Sequence, residues 1–137
     1  MNNKQIFSIV MIALLIPTVF VAGCTSSDNG GETEEFQIAV LLPGDTTDMA
    51  WNESMLEAIK RLNNQTGYDV EYTAGVYEAV DAGPHLRDFA EENDLVIAHG
   101  FQYAEITPEV AADFPDTYFL NIAGVQPEEP MENMAVA

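Results

Sequence analysis

At 137 residues with 23 acidic and 4 basic side chains, the chain carries a formal net charge of −19. That field repels phosphate backbones and anionic headgroups, and it excludes nucleic acid as a partner. Cys24 is the sole cysteine, which excludes a disulfide framework and a cysteine-based metal site, and blocks of Val, Ile, Leu and Phe exclude a disordered chain.

The first 22 residues combine a start carrying only Lys4 with an apolar run of 17 residues from Ile6 to Ala22, containing Pro17. A charged start, an apolar stretch and small residues before a cut form a secretory signal. Val21-Ala22-Gly23-Cys24 resembles the processing site of bacterial and archaeal lipoproteins, where the new N-terminal Cys24 takes the lipid. A plain signal with an incidental cysteine, or an uncleaved anchor at the lower length limit for a span, are the alternatives. All three place the remainder outside the cytoplasm. The expected organisation is a signal peptide over residues 1–23, lipidated Cys24 with a flexible polar tether over 24–36, and one domain over 37–137. Removing residues 1–23 leaves 3 basic and 23 acidic residues, a charge of −20. The acids are spread along the chain, as in a solvated surface suited to high ionic strength.

From Gln37 onward, short apolar blocks alternate with amphipathic stretches. Residues 37–42 form a continuous apolar run stopped by Pro43-Gly44, as expected of a strand buried on both faces. Residues 48–65 repeat apolar side chains at Trp51, Met55, Ile59 and Leu62, which is helical spacing, with Asp48 as N-cap and Gly67 as stop. Residues 69–74 alternate like a strand near a sheet edge. Pro84 is placed at the opening of a second helix with Leu86, Phe89 and Ala90 inward. Residues 94–98 form another buried strand, ahead of His99-Gly100. A third helix over about 104–114 aligns Ile106, Val110 and Phe114, which requires Pro108 in its first turn. Residues 117–122 make the fourth strand. This alternation predicts an α/β fold: a parallel sheet with helices on both faces. Ligands then sit beyond the carboxyl ends of the strands, in the loops at 43–53, 75–81, 99–104 and 123–128.

Leu41-Leu42-Pro43-Gly44 followed by Asp48-Met49-Ala50-Trp51-Asn52-Glu53-Ser54 resembles the first-strand signature of the basic membrane protein family. These are lipoprotein substrate-binding components of ABC importers, related to purine nucleoside receptors. The resemblance continues through Asp94-Leu95-Val96-Ile97-Ala98-His99-Gly100-Phe101 and Phe114-Pro115-Asp116-Thr117-Tyr118-Phe119, and covers residues 37–125. It departs at Ala123, where many members carry Asp, and no Gly-Gly follows the first strand. The family fold has two such lobes hinged around a cleft. Because the chain ends at Ala137 within what reads as the start of another strand, it is expected to be a fragment holding most of one lobe.

The candidate ligand-binding residues are Asp48, Trp51, Asn52, His99, Phe101 and Gln102. The Trp51 indole suits stacking on a planar heterocycle or sealing a helix onto the sheet. Asn52 offers donors and an acceptor for ring nitrogens or hydroxyls, and Asp48 suits ligand binding or an N-cap. Phe101 suits a cleft wall or lobe packing. The sequons at Asn52 and Asn64 are short matches, the first at the expected pocket. No nucleophile–base pair or metal spacing stands out, so neither a cofactor nor a metal is expected, and catalysis is not. The expectation is a membrane-anchored receptor that binds a small polar planar solute, nucleoside-like among others, and passes it to an ABC permease. A sensory module of the same fold is the alternative.

Overall fold

The computed structural model describes residues 35–137. The expected signal peptide, Cys24 and all but the end of the tether lie outside these residues. Five strands alternate with helices among them: β1 (Ile38–Leu41), α1 (Trp51–Thr66), β2 (Glu71–Thr73), α2 (Ala79–Glu92), β3 (Leu95–His99), a 3₁₀ turn (Phe101–Tyr103), α3 (Ile106–Asp113), β4 (Tyr118–Ile122) and β5 (Met134–Val136). The sheet order is β2-β1-β3-β4-β5 and every pairing is parallel.

β1 is the central reason for this layering. All its residues are buried, and period-2 alternation sends them to two different cores. Ile38, Val40 and Leu42 pack with Ile59 of α1 and with Val70. Ala39 and Leu41 join Leu86, Phe89 and Ala90 of α2, Val110 and Ala111 of α3, and Phe119 of β4. α1 therefore covers one face, and α2 with α3 the other. Leu86 is fully buried, which is worth about 1.5–3 kcal/mol relative to an exposed leucine.

Three local expectations need correction. α2 starts at Ala79, ahead of Pro84, which lies inside it. The Glu78 carbonyl starts the helix by accepting from the Asp81 and Ala82 amides at 3.1 and 3.2 Å. Pro84 removes one helical bond, the one to the Val80 carbonyl, at a solvent-facing position where Pro84 and Val80 are both exposed. The N-cap of α1 is Ala50, two residues after the expected Asp48, because the helix begins only at Trp51, whose ring, open between cleft stacking and core sealing in the sequence, is 43% exposed. The 3₁₀ turn at Phe101–Tyr103 had no sequence signal. Pro108 does fall in the first turn of α3, and β2 is a short, half-exposed edge strand.

Candidate functional site

The chain leaves β1 for β2 on one side, then crosses to β3 on the other. That reversal opens a crevice outside the carboxyl ends of β1 and β3, where open α/β sheets bind ligands. A cleft of about 380 Å³ lies there. Pro43, Gly44, Trp51 and Asn52 line it from the β1–α1 connection, Tyr77 from β2–α2, Phe101 and Gln102 from beyond β3, and Ala123 from beyond β4. Each of the four loops expected to carry a site contributes. Among the described residues the lining holds no charged side chain, and its aromatic rings are open to solvent: Trp51 is 43%, Tyr77 65% and Phe101 70% exposed.

The first wall is built by Asp48. Its Oδ1 accepts from the backbone amides of Ala50 and Glu53 at 3.0 and 3.1 Å. Its Oδ2 accepts from the Asn52 amide at 3.1 Å and from Asn52 Nδ2 at 2.7 Å. One carboxylate thus takes up two free amide donors in the first turn of α1, those of Asn52 and Glu53, and these bonds, the Asn52 amide first, bring its pKa down to about 2. They also hold Met49 in a left-handed conformation with φ 56°. Asn52, only 6% exposed, receives the Gly44 amide on Oδ1 at 3.4 Å. A Cβ on Gly44 would meet Asn52 Nδ2 at 2.5 Å, so this close approach requires glycine. The same burial closes the Asn52 sequon to a glycan.

The second wall is Trp51. Its indole stacks on His99 with ring centroids 4.3 Å apart and planes 14° from parallel. His99 is 3% exposed, and its Nε2 donates to the Trp51 carbonyl at 3.1 Å, leaving Nδ1 buried without a partner among the described residues. Burial is the main influence on this imidazole and lowers its pKa, so it is neutral at pH 7. At the far side, Ala123 adopts φ 61°. Gly124 follows it so closely against Asn121 that a Cβ would lie 1.8 Å from Asn121 Oδ1.

Of the six residues singled out from the sequence, Trp51, Asn52, Phe101 and Gln102 line the cleft, whereas Asp48 and His99 stand behind it as supports. Sequence reasoning passed over Tyr77. Its signal was available: an exposed aromatic type in a loop already marked as a strand tip. No group of three His, Cys, Asp or Glu side chains suited to a metal comes together among the described residues.

Residues 36–136 match the family described as ABC transporter substrate-binding protein PnrA-like. The chain is 26% identical over 117 residues to the transcriptional activator protein med of Bacillus subtilis, covering 85% of the chain and 34% of that protein. It is 30% identical over 120 residues to an uncharacterised lipoprotein of Pyrococcus furiosus, covering 85% and 29%. Among solved structures, an ABC transporter solute-binding protein from Conexibacter woesei aligns with a TM-score of 0.65 at 30% identity, over 74% of this chain and 34% of that one. One from Aeropyrum pernix aligns with a TM-score of 0.67 at 22% identity, over 74% and 28%, and supports the fold. The chain thus spans about a third of the length of the curated relatives it matches.

Proposed function

The chain belongs to the family of PnrA-like ABC transporter substrate-binding proteins, and on that premise we propose that it captures a small planar solute outside the cell and delivers it, unaltered, to an ABC permease. The observation that carries this reading is the convergence of three solvent-open rings, Trp51, Tyr77 and Phe101, on one uncharged cleft at the switch point of the sheet. Aromatic faces bind planar rings with affinity beyond the area they bury, while Gln102 supplies a side-chain amide for orientation. Asn52 and Asp48 act as positioning residues, since their polar atoms hold the β1–α1 loop. Longer family relatives leave room for a second set of contacts across the cleft, whose closure excludes water.

Attachment through a lipid on Cys24, with residues 25–36 as tether, keeps such a receptor near its permease and raises their effective concentration. Incorporation of labelled palmitate into the wild type and its loss in Cys24→Ala is the expected result. The binding reading is tested by titrating a panel of uncharged heterocycles and nucleosides while following the emission of Trp51, the only tryptophan. Saturable quenching in the wild type supports it, together with affinity lowered by about 1–3 kcal/mol for Trp51→Ala in calorimetry. Turnover of a bound solute would replace it with an enzyme.

The 26% identity to a protein named as a transcriptional activator favours one second reading, a ligand-binding sensory module of the same fold. Occupancy would then be passed to a signalling partner, not to DNA, which a charge of −19 repels. Cross-linking in membranes separates the two readings by whether a permease or a signalling protein is trapped.

A further inference from the structure

Acidic side chains of the described residues stand at both ends of the sheet, whereas lysine and arginine are kept away from the cleft end. Asp45, Asp48, Glu53, Glu78, Glu105 and Glu128 sit in or beside the strand-tip loops around the cleft, and these loops contain no lysine or arginine. Lys60, Arg61 and Arg87 are the basic residues described, and each lies in the second half of α1 or α2, away from the tips. Lys60 and Arg87 are also paired there, with Glu57 at 2.8 Å and Asp113 at 2.6 Å. A second groove shares Phe101 and Gln102 with the cleft and carries Glu105, Glu109 and Glu128 on its walls. An uncharged aromatic floor therefore opens into a rim of a single sign.

Such a rim concentrates cations at the mouth and turns anions away. The floor then decides which cations enter. Its lining offers no carboxylate to replace the hydration shell of a hard metal ion, which loses more water than it gains ligands. A positive charge spread over an organic ring is weakly hydrated, and the negative faces of Trp51, Tyr77 and Phe101 attract it. The imidazole stacked on the indole is neutral His99, so no fixed positive charge opposes a cation on Trp51.

We propose that the solute is a planar heteroaromatic cation, seated among Trp51, Tyr77 and Phe101 beneath the acidic rim. The assignment rests on the solute-receptor reading above and adds to it the sign of the ligand's charge. Three probes of nearly equal shape isolate that sign: 1-methylnicotinamide, which is cationic, nicotinamide, which is neutral, and nicotinate, which is anionic. The full chain is titrated with each by Trp51 emission and calorimetry, at salt concentrations of about 0.01 M and about 1 M, where screening reaches from roughly 30 Å to roughly 3 Å.

The cation is expected to bind about tenfold more tightly than nicotinamide at low salt, with nicotinate the weakest. At high salt the preference narrows without vanishing, because the aromatic contribution is short-ranged. Phe101→Ala, at an exposed position that leaves the core intact, removes the preference that survives high salt. Glu105→Gln combined with Glu128→Gln lowers only the low-salt preference. Nicotinamide binding as tightly as the cation overturns the charge assignment and leaves the receptor reading standing. Silence from all three probes up to about 10 mM also overturns the assignment, and the uncharged panel then judges the receptor reading separately.

Discussion

Phe101 and Tyr103 lie two residues apart in one 3₁₀ turn, yet Phe101 is 70% exposed and Tyr103 is fully buried. Tyr103 points into the core between α2, α3 and the sheet, where its hydroxyl donates to the Val76 carbonyl and burial raises its pKa. Phe101 points the other way, into the cleft. The same division separates Phe119, 2% exposed in β4, from Trp51 at the start of α1. Core aromatics hold helices to strands. Cleft aromatics forgo burial worth about 1.5–3 kcal/mol each, and their exposed faces are left for contact with something else. One turn thus serves both stability and recognition.

The sharpest way to test this division is to remove a ring from each side of it. Phe119→Ala should lower stability by about 3–5 kcal/mol in urea denaturation, because neither the sheet nor α2 and α3 can close the cavity. Tyr103→Phe keeps the ring and strips the hydroxyl, leaving the Val76 carbonyl buried without its donor. Its expected loss is about 1–3 kcal/mol. Phe101→Ala should cost under about 0.5 kcal/mol, as surface substitutions do, while weakening the solute. Comparable stability losses in Tyr103→Phe and Phe101→Ala would erase the distinction between the two sides of the turn.

Acid titration sharpens the comparison on the cleft side, where His99 and Asp48 support the walls. Burial lowers the folded pKa of His99 below its usual 6.5, so the unfolded chain binds more protons just below that pH. The His99 contribution is therefore complete above pH 6.5 and is lost as pH falls through the folded value. Asp48 falls from 3.8 to about 2 on folding, so its contribution is complete above pH 3.8 and disappears as pH drops towards 2. Melting temperature followed against pH should decline in two separate windows. His99→Gln should abolish the upper decline, and Asp48→Asn should reduce the lower, to which Glu57, lowered by its hydrogen bond with Lys60, also contributes. A core variant such as Tyr103→Phe should leave both declines unchanged.

Much of the framework was legible from side-chain pattern alone. Continuous apolar runs identified β1, β3 and β4 because strands covered on both faces have no wet side to mark with polar residues. Loop positions followed from Pro43-Gly44, His99-Gly100 and Gly124, and these placed Trp51, Asn52, Phe101 and Gln102 near strand tips. Periodicity left the orientation of Trp51 open, since an apolar residue at the first turn of a helix can face the core or overhang the end of the sheet with equal spacing. Pro84 misled the start of α2, since the preference of proline for the first turn does not bar it from an exposed position further into a helix.

The sequence by itself determined the order of strands and helices, the acidic character and the loops in which a site could form, because these depend on local pattern and composition. Only the tertiary structure decided that four separated loops share one cleft, that Asp48 and His99 stand behind its walls, and that Tyr77 joins them. Those facts depend on sheet order and on contacts between residues far apart in the chain, such as Trp51 on His99, and no local pattern encodes which strand lies beside which.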